Sequence, residues 1–377
     1  MGVGDWLRSL FNISSGAQPP RLPPAAPPRE QIEARLARSN VPGAALARVI
    51  DGEVAWVAGY GATRSRRRAP HVTGDTVFQA ASLSKPVTAV AVMQLVEAGS
   101  LTLDTDVREI AAFPIPEHPI LAHHPDQSRR PITVRLLLQH RGGIVGRGTT
   151  PADSQTFLDA GVGGGSLRFR RARGVRLPTL EESWLGADGR RGVTVTYPPG
   201  SRVSYSGAGY LVLQHVIERV TGTAFADHMA GVLASLGARA ATFQLQPPEH
   251  LPLARGHDVD GRELAGGYEL VPWSAAGGLF TSAASLAEVL ATMLRRDGVA
   301  LAPETVQLMA RERLGVAVRR TEGRTVIVHG GDNGGYRASL TGVLETGGGA
   351  VVLTNGRSLD GPDLRRELAE TVVSDPG

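Results

Sequence analysis

The pattern of hydrophobic and polar positions divides the chain into two strand-rich ends and a more helical middle. Toward the N-terminal end, apolar residues 43–50 and 53–60 flank Asp51 and Gly52, a pair that favours a tight turn between antiparallel strands. Toward the C-terminal end, strand-like runs follow in hairpin order at residues 315–320, 324–329, 336–344 and 349–354. We therefore expect one antiparallel sheet that is assembled from both ends of the chain.

Helical periodicity flanks these strands and dominates the region between them. Ile32 and Leu36 are spaced i, i+4 within residues 30–39, and the same kind of apolar spacing predicts helices at 283–295, 303–313 and 362–373. Residues 100–255 are mainly helical and loop-rich, with helical runs at 134–140 and 209–220. The predicted fold class is α+β: an antiparallel sheet flanked by helices, with a mainly helical domain inserted in its middle.

These patterns predict three parts of the chain. Residues 1–29 form an N-terminal segment and a Pro-rich tether, residues 30–100 and 256–377 together form the sheet domain, and residues 101–255 form the helical insert. The first 13 residues lack the continuous apolar run of a signal peptide, and no later run reaches the ~18 apolar residues of a membrane helix. We therefore expect a cytoplasmic protein without a membrane span.

Composition narrows the possible functions. The chain is 42% hydrophobic and 20% charged, which is typical of a globular protein, and its formal net charge of +4 is small for 377 residues. That charge gives little support to nucleic-acid binding. Because there are no cysteines, disulfides, thiol catalysis and cysteine-ligated metals are excluded.

Lys85 is the only lysine in the chain, since every other residue of the 40 counted as Lys and Arg is an arginine. Arginine keeps its proton in proteins, whereas a desolvated lysine can lose it, so a lone lysine suggests a base. Ser82 precedes it by three residues, and on a helix the two side chains share one face. Pro86 fits only in the first turn, which places Ser82 at the helix start, where partial positive charge favours an anion. A stray lysine in an arginine-preferring genome is the alternative.

The segment FQAASLSKPVTA at residues 78–89 resembles the nucleophile motif of the penicillin-recognising serine hydrolases. It is most similar to the branch that holds class C β-lactamases, D-peptidases and their esterase relatives. The family's second motif, Tyr-x-Asn, is matched by Tyr205, Ser206 and Gly207. The resemblance implies that Tyr205 shuttles a proton between Ser82 and the leaving group. Gly207 stands where asparagine is usual, and that asparagine helps β-lactam-hydrolysing members to bind the substrate amide.

The third motif of the family, Lys-Thr-Gly, corresponds to His329, Gly330 and Gly331. The resemblance implies that the two glycines let the strand approach the substrate, and that the N–H groups of Ser82 and Asp332 form the oxyanion hole. His329 would polarise the tyrosine or bind an anionic group. Residues 136–143 and 273–282 also resemble family segments, and they make His140 a scaffold residue rather than a base. The resemblance covers about residues 30–373.

Other chemistry-bearing segments are weaker candidates. The spacing of one histidine-rich segment favours a surface loop over a metal site; its residues are His118, His123, His124 and Asp126. Residues 161–165 are Gly-rich but lack the Lys-Ser/Thr of a phosphate cradle. The arginine run at 64–68 is expected to be a solvated loop, with anion binding as the alternative, and His257-Asp258 carries no assignable chemistry. We predict neither a metal nor a cofactor.

The sequence therefore predicts a serine hydrolase that acts on an ester or amide carbonyl of a small molecule through an acyl-enzyme. Its partners would be a small-molecule acyl donor and water, an alcohol or an amine as acceptor, with the oligomeric state left open. A transacylase of small-molecule biosynthesis is the first alternative, a β-lactamase or D,D-peptidase the second, and a catalytically silent binding protein the non-enzymatic one. The acyl donor cannot be inferred from the loop at 160–195.

Overall fold

The structure is a computed structural model that describes residues 25–117, 121, 130–145, 179–185, 193–295, 297–357 and 364–373. Most of the predicted tether lies outside the described residues, as do the Gly-rich segment at 161–165 and most of the loop at 160–195. The histidine-rich candidate metal residues also lie outside them. Within the described part of the chain, no helix has both the length and the apolar character that crossing a bilayer requires.

A six-stranded sheet forms the centre of the fold. Its strands stand in the order β2-β1-β11-β10-β9-β8, and every neighbouring pair is antiparallel. They span β1 (Gly43–Ile50), β2 (Glu53–Gly61), β8 (Ala317–Thr321), β9 (Arg324–Asp332), β10 (Arg337–Val343) and β11 (Gly348–Thr354). Because β1 pairs with β11, strands from the two ends of the chain meet at the middle of one sheet. The α+β architecture predicted from the sequence is confirmed.

The turn between β1 and β2 has the backbone conformation that its sequence favours. Asp51 has a φ of 51° and Gly52 a φ of 76°. Two central residues with positive φ match the right-handed twist of antiparallel strands, and Asp-Gly adopts this conformation at low cost. The hairpin predicted from this pair is confirmed.

Both faces of the sheet are covered by helices. Helices α1 (Arg29–Arg38) and α10 (Leu364–Val373) pack on one face, and their apolar residues join Ala44 and Leu46 of β1 in a small core. Helix α8 (Ala283–Arg295) packs on the other face, where Ala45 and Ala47 of β1 enter the main core. Successive residues of β1 thus enter opposite cores, because side chains along a strand alternate between its two faces and both faces are buried here.

A second, three-stranded sheet supports the candidate site. It has the order β3-β7-β6, with β3 at Val77–Ala81, β6 at Ala241–Thr242 and β7 at Leu279–Ser282. Every residue of β3 is buried, so the strand lacks the apolar-polar alternation that reveals a half-exposed strand in a sequence. The sequence analysis did not predict it for that reason.

The other elements lie between β2 and β8 in the chain. The helices are α2 (Ser84–Glu97), α3 (Val134–Leu138), α4 (Leu180–Leu185), α5 (Gly207–Thr221), α6 (Phe225–Ser235), α7 (Ser274–Gly277) and α9 (Pro303–Glu312). The remaining strands are β4 (Ile144–Val145) and β5 (Thr194–Val195), which pair antiparallel. The division of the chain into a sheet domain and an insert stays a prediction.

Candidate active site

Ser82 lies in a two-residue turn between the end of β3 and the start of α2. The preceding residue, Ala81, has a φ of 47°, a left-handed conformation that is uncommon for a residue with a Cβ atom. The Ser84 hydroxyl fixes this turn, because it donates to the Ala81 carbonyl at 2.6 Å and accepts the Leu279 N–H at 2.9 Å. The hydroxyl of Ser82 is thus held on a strained but well-supported strand-to-helix turn.

Lys85 lies on the first turn of α2, on the same helix face as Ser82. Its side chain is 2% exposed, and its Nζ donates to Ser82 Oγ at 3.2 Å and to the Ala276 carbonyl at 2.6 Å. Pro86 occupies the third position of the helix, within the first turn where its missing N–H costs no hydrogen bond. The contact that the Ser-x-x-Lys spacing predicted is present in the structure.

Helix α7 carries the carbonyl that accepts from Lys85, and two neighbouring helices hold it in place. Thr88, three residues after Lys85 on α2, donates its hydroxyl to the Ala275 carbonyl at 3.1 Å. The Ala275 N–H donates to Gln214 Oε1 of α5 at 3.2 Å. Because α7 is bonded to both helices, the position of the Ala276 carbonyl beside Lys85 is determined by packing on two sides.

Tyr205 lies just before Ser206, the N-cap residue of α5, with its ring beside Lys85. The Lys85 Nζ is 4.8 Å from the Tyr205 ring centroid and 5.6 Å from that of the buried Tyr210. Tyr205 is 55% exposed, an unusual value for so large a side chain. The start of α5 is capped by Ser206, whose Oγ accepts the Gly209 N–H at 2.9 Å. The structure therefore brings together Ser82, Lys85 and Tyr205, as the sequence predicted.

Of the two glycines in the third motif, only Gly331 is required by close contact. A Cβ atom at Gly331 would lie 2.1 Å from the Ala80 carbonyl oxygen, so β9 contacts the end of β3 just before the turn that holds Ser82. A Cβ atom at Gly330 would meet only Arg365 Nη1 at 3.5 Å and the Ala338 carbonyl at 3.9 Å, which are ordinary contacts. Gly331 thus joins the large sheet to the nucleophile turn.

His329 is half-buried and electrically neutral at neutral pH. Its Nδ1 lies 3.0 Å from the Gly330 carbonyl, and burial, followed by the nearby Lys85, lowers its pKa from 6.5 to about 4. It therefore supplies no positive charge for an anionic substrate at neutral pH. The carboxylate of Asp332 forms an ion pair with Arg337 and lies 3.9 Å from the guanidinium of Arg357.

Gly207 is the first residue of α5 and leaves room beside the site. A Cβ atom at this position would lie 3.7 Å from the ring of Trp273 and 3.8 Å from the Cβ of Ala276. Both distances are ordinary van der Waals contacts, so a side chain fits here without displacing the backbone. The space that an asparagine would occupy is therefore bounded by the indole ring of Trp273 and by α7, whose Ala276 carbonyl accepts from Lys85.

The weaker candidates have structural roles where the structure describes them. His257 is fully buried; its Nε2 accepts the Ser65 N–H at 3.1 Å and its Nδ1 lies 2.9 Å from the Asn355 carbonyl. Arg64, at the start of the arginine run, pairs with Glu263 at 2.7 Å, while residues 65–68 are exposed. Among the described residues, no group of three or more His, Cys, Asp and Glu is arranged to hold a metal ion.

Two supporting groups were missed by the sequence analysis. The Ala276 carbonyl acts through the backbone, so its side chain carries no signal of its role. Ser84 does carry a signal, because it is a small polar residue inside an otherwise apolar segment, where a hydroxyl needs a hydrogen-bond partner. That reasoning would have indicated a structural hydroxyl next to Ser82.

A serine beside a buried lysine, in an α+β fold of this kind, is the arrangement of serine hydrolases and acyltransferases that pass an acyl group through a serine ester. The family model described as Beta-lactamase matches residues 29–373. The chain therefore belongs to the β-lactamase family, and it is a serine hydrolase or acyltransferase that acts on small molecules.

Three relatives illustrate the range of the family. The chain is 30% identical over 369 residues to Penicillin-binding protein 4 of Amycolatopsis lactamdurans, covering 90% of this chain and 88% of that protein. It is 28% identical over 397 residues to Monacolin J acid methylbutanoyltransferase of Aspergillus terreus, covering 98% of this chain and 89% of that protein. Among solved structures, the octameric penicillin-binding protein homologue from Pyrococcus abyssi superposes with a TM-score of 0.70 at 25% identity, covering 90% of this chain and 74% of that chain.

Proposed function

We propose that the protein is an esterase or amidase whose nucleophile is Ser82. The Ser82 Oγ attacks the carbonyl carbon of the substrate while Lys85 accepts the hydroxyl proton. The bond between the carbonyl carbon and the leaving group then breaks, and Tyr205 passes the proton to the departing alkoxide or amine. Water attacks the resulting ester and restores the Ser82 hydroxyl. The observation that carries this proposal is the 3.2 Å hydrogen bond from the buried Lys85 Nζ to Ser82 Oγ.

The oxyanion hole is part of the same proposal. The tetrahedral intermediate would be held by the backbone N–H groups of Ser82 and Asp332. Gly331 supports this assignment, because its contact with the Ala80 carbonyl keeps the end of β9 close to the nucleophile turn. Gly330 and Gly331 would then line the substrate, with His329 acting as a neutral hydrogen-bonding group toward the tyrosine.

Two replacements favour this reading over a β-lactamase or D,D-peptidase. Gly207 removes the amide group that lactam-hydrolysing members use to bind the substrate side chain. His329 replaces the lysine of the third motif, and it is neutral at neutral pH. An ester substrate without such an amide side chain or an anionic group needs neither of them in order to reach Ser82. We also propose a cytoplasmic location, as expected from the sequence, which cell fractionation tests.

A transacylase that uses the same acyl-enzyme is the second candidate. The similarity to a methylbutanoyltransferase over 98% of this chain supports it. In that case an alcohol or amine, rather than water, would attack the acyl-serine. Following aminolysis or alcoholysis against hydrolysis, at increasing acceptor concentration, separates the two candidates. A product ratio that does not change with acceptor concentration would exclude the transacylase.

The test of the catalytic assignment is the substitution Lys85→Arg. Arginine keeps the positive charge but cannot accept the serine proton, so we expect turnover of a chromogenic ester to fall by about 10²–10⁴-fold. Circular dichroism and thermal unfolding check that the fold is retained, and Ser82→Ala provides the matched loss of the nucleophile. Intact mass spectrometry should detect an acyl adduct in the wild-type protein and none in Ser82→Ala.

Wild-type turnover in Lys85→Arg or in Ser82→Ala would contradict the proposal. Labelling with a fluorophosphonate separates an enzyme from a silent binding protein on the same scaffold. An enzyme of this class reacts at Ser82, whereas a binding protein leaves the reagent unconsumed.

A further inference from the structure

His140 contacts three consecutive residues around the proposed proton shuttle. Its backbone carbonyl accepts the Ser204 N–H at 2.7 Å, and its Nδ1 accepts the Ser206 N–H at 3.2 Å. Between these two bonds, its ring packs on the Tyr205 ring with centroids 4.4 Å apart and an interplanar angle of 38°. One residue therefore holds the backbone on both sides of Tyr205 and one face of its ring.

Tyr205 needs such support more than its neighbours do. A buried ring is held by contacts on all sides, but Tyr205 is 55% exposed and would otherwise sample other side-chain rotamers. Its ring has His140 as a contact and the Lys85 Nζ at 4.8 Å. The imidazole is itself held in place, because it also packs against the buried Tyr210, with the two ring centroids 5.4 Å apart.

The hydrogen bonds determine the protonation state of His140. Since Nδ1 accepts a backbone N–H, it carries a lone pair, and the imidazole is the neutral tautomer with its hydrogen on Nε2. Burial, Lys85 and His329 all lower its pKa well below 6.5, in that order of importance. A protonated ring would lose the hydrogen bond from the Ser206 N–H. His140 is thus unsuited to be a base and well suited to be a fixed neutral support.

The backbone conformation of His140 allows it to make both of these hydrogen bonds. The residue has a φ of 56°, in the left-handed region, and lies one residue beyond Gln139, the C-cap of α3. This conformation lets the same residue present its carbonyl to Ser204 and its ring nitrogen to Ser206. Asparagine and histidine are among the residues that tolerate it best.

We propose that His140 is a positioning residue that holds the Tyr205 hydroxyl for proton transfer to the leaving group. The inference rests on the proposed function of Ser82, Lys85 and Tyr205. It predicts a dependence on the leaving group: a basic alkoxide needs the proton from Tyr205, whereas p-nitrophenolate departs without it.

Two substitutions separate the contacts of His140. His140→Phe keeps a ring against Tyr205 but removes the acceptor for Ser206, and His140→Asn keeps an acceptor and tolerates the left-handed backbone but removes the ring. For an alkyl ester we expect each to lower kcat by about 100-fold with little change in KM, because small misplacement of a catalytic group has effects of that size. For the p-nitrophenyl ester of the same acid we expect a loss of less than about tenfold.

The matched control is His215→Phe. His215 has the same kind of environment: its Nε2 accepts the Ala112 N–H at 3.1 Å, and its ring packs on Phe113 at 5.1 Å and Trp184 at 5.3 Å. Within the described part of the chain, the His215 ring packs on these two side chains and not on Tyr205 or Lys85. Its loss should therefore affect thermal stability as His140→Phe does, but it should not slow the alkyl ester more than the p-nitrophenyl ester. All rates are expressed per Ser82 titrated with a fluorophosphonate, so that unfolded protein does not enter the comparison.

A double variant provides the decisive comparison. In the Tyr205→Phe background, His140→Phe should cause no further loss with the alkyl ester, because the hydroxyl that it positions is gone. Equal losses with both esters, additive effects in the double variant, or unchanged kcat in both His140 variants would overturn the inference. If the wild-type protein itself forms no adduct at Ser82, the proposed function fails instead, and the two failures are distinguishable.

Discussion

At the scale of single residues, the site combines a buried amine with an exposed phenol. Lys85 is 2% exposed and Tyr205 is 55% exposed, yet the Lys85 Nζ lies 4.8 Å from the Tyr205 ring centroid. In the proposed mechanism, a proton taken from Ser82 passes from the protein interior toward solvent, where the leaving group departs. In our proposal the lysine, not His140 or His329, is the base, because the lowered pKa values of both histidines make them weak bases and the group that is hydrogen-bonded to Ser82 Oγ is the Lys85 Nζ.

The open space at Gly207 lets us predict how a side chain there would change the size of the acyl group that the site accepts. Gly207→Asn places a side chain beside Trp273 without backbone strain, since a Cβ atom there meets the indole at 3.7 Å. We expect kcat/KM for a branched or long acyl ester to fall by about 10–100-fold, and that for an acetyl ester to change little. The measurement is a series of p-nitrophenyl esters of increasing acyl length. A uniform loss across the series would show that Gly207 does not border the acyl group.

At the residue scale, the sequence predicts groups that act through their side chains but not groups that act through the backbone. The proximity of Ser82, Lys85 and Tyr205 could be predicted, because their side chains are of types that can carry chemistry and their spacing and local frame are distinctive. The Ala276 carbonyl could not, because a backbone group leaves no trace in residue type. The contact of Gly331 with Ala80 joins residues about 250 positions apart, so no local pattern could reveal it.

At the scale of elements, the approach of β9 to β3 connects the large sheet to the site. The sequence predicted the strand only to residue 329, because glycines weaken a strand signal, yet β9 continues through both glycines to Asp332. The long amphipathic elements were predicted well: the helix at 283–295 has the observed bounds of α8, and the turn at Asp51-Gly52 is where the hairpin forms. The fully buried β3 and the four-residue α7 have too little pattern to be found.

Gly331→Ala tests this connection. Its Cβ would lie 2.1 Å from the Ala80 carbonyl, so the strand must move away from the nucleophile turn. We expect the free energy of unfolding to fall by about 1–3 kcal/mol and turnover to fall as well, measured by urea denaturation and by ester hydrolysis. Gly330→Ala is the comparison, because its Cβ makes only ordinary contacts, and its stability loss should be smaller. Equal stability losses in the two variants would contradict the assignment.

At the scale of the whole molecule, the site is assembled from distant parts of the chain. Ser82 and Lys85 follow the N-terminal hairpin, Tyr205 precedes α5, and the strand that carries Gly331 belongs to the C-terminal half of the sheet. Because β1 pairs with β11, these parts are held together only when both ends of the chain have joined. Activity should therefore report on the folding of the entire described core rather than of one segment.

The lowered pKa values of the histidines in this core let us predict how stability depends on pH. Burial is the largest cause of lowered pKa in all four of the shifted ones: His140, His215, His228 and His329. Each is neutral in the folded protein but takes up a proton on unfolding below its usual pKa of 6.5. The unfolded state thus binds more protons, and stability must fall as the pH falls from about 6.5 toward about 4, the folded-state pKa of His329. Glu218, whose pKa burial raises, acts in the opposite direction.

The test is the urea midpoint between pH 7.5 and pH 4.5 for the wild-type protein and for His329→Asn. The wild-type midpoint should fall with decreasing pH, and the variant should fall less steeply because one of the four proton-binding groups is absent from its unfolded state. Calorimetry in two buffers of different ionisation enthalpy measures the protons taken up on unfolding at pH 5.5 directly, and that number should be lower in the variant. Identical proton uptake in the two proteins would mean that His329 is not held neutral in the fold. A wild-type midpoint that stays level across this range, together with no net proton uptake at pH 5.5, would contradict the prediction, because the four histidines have the same sign and Glu218 alone is set against them.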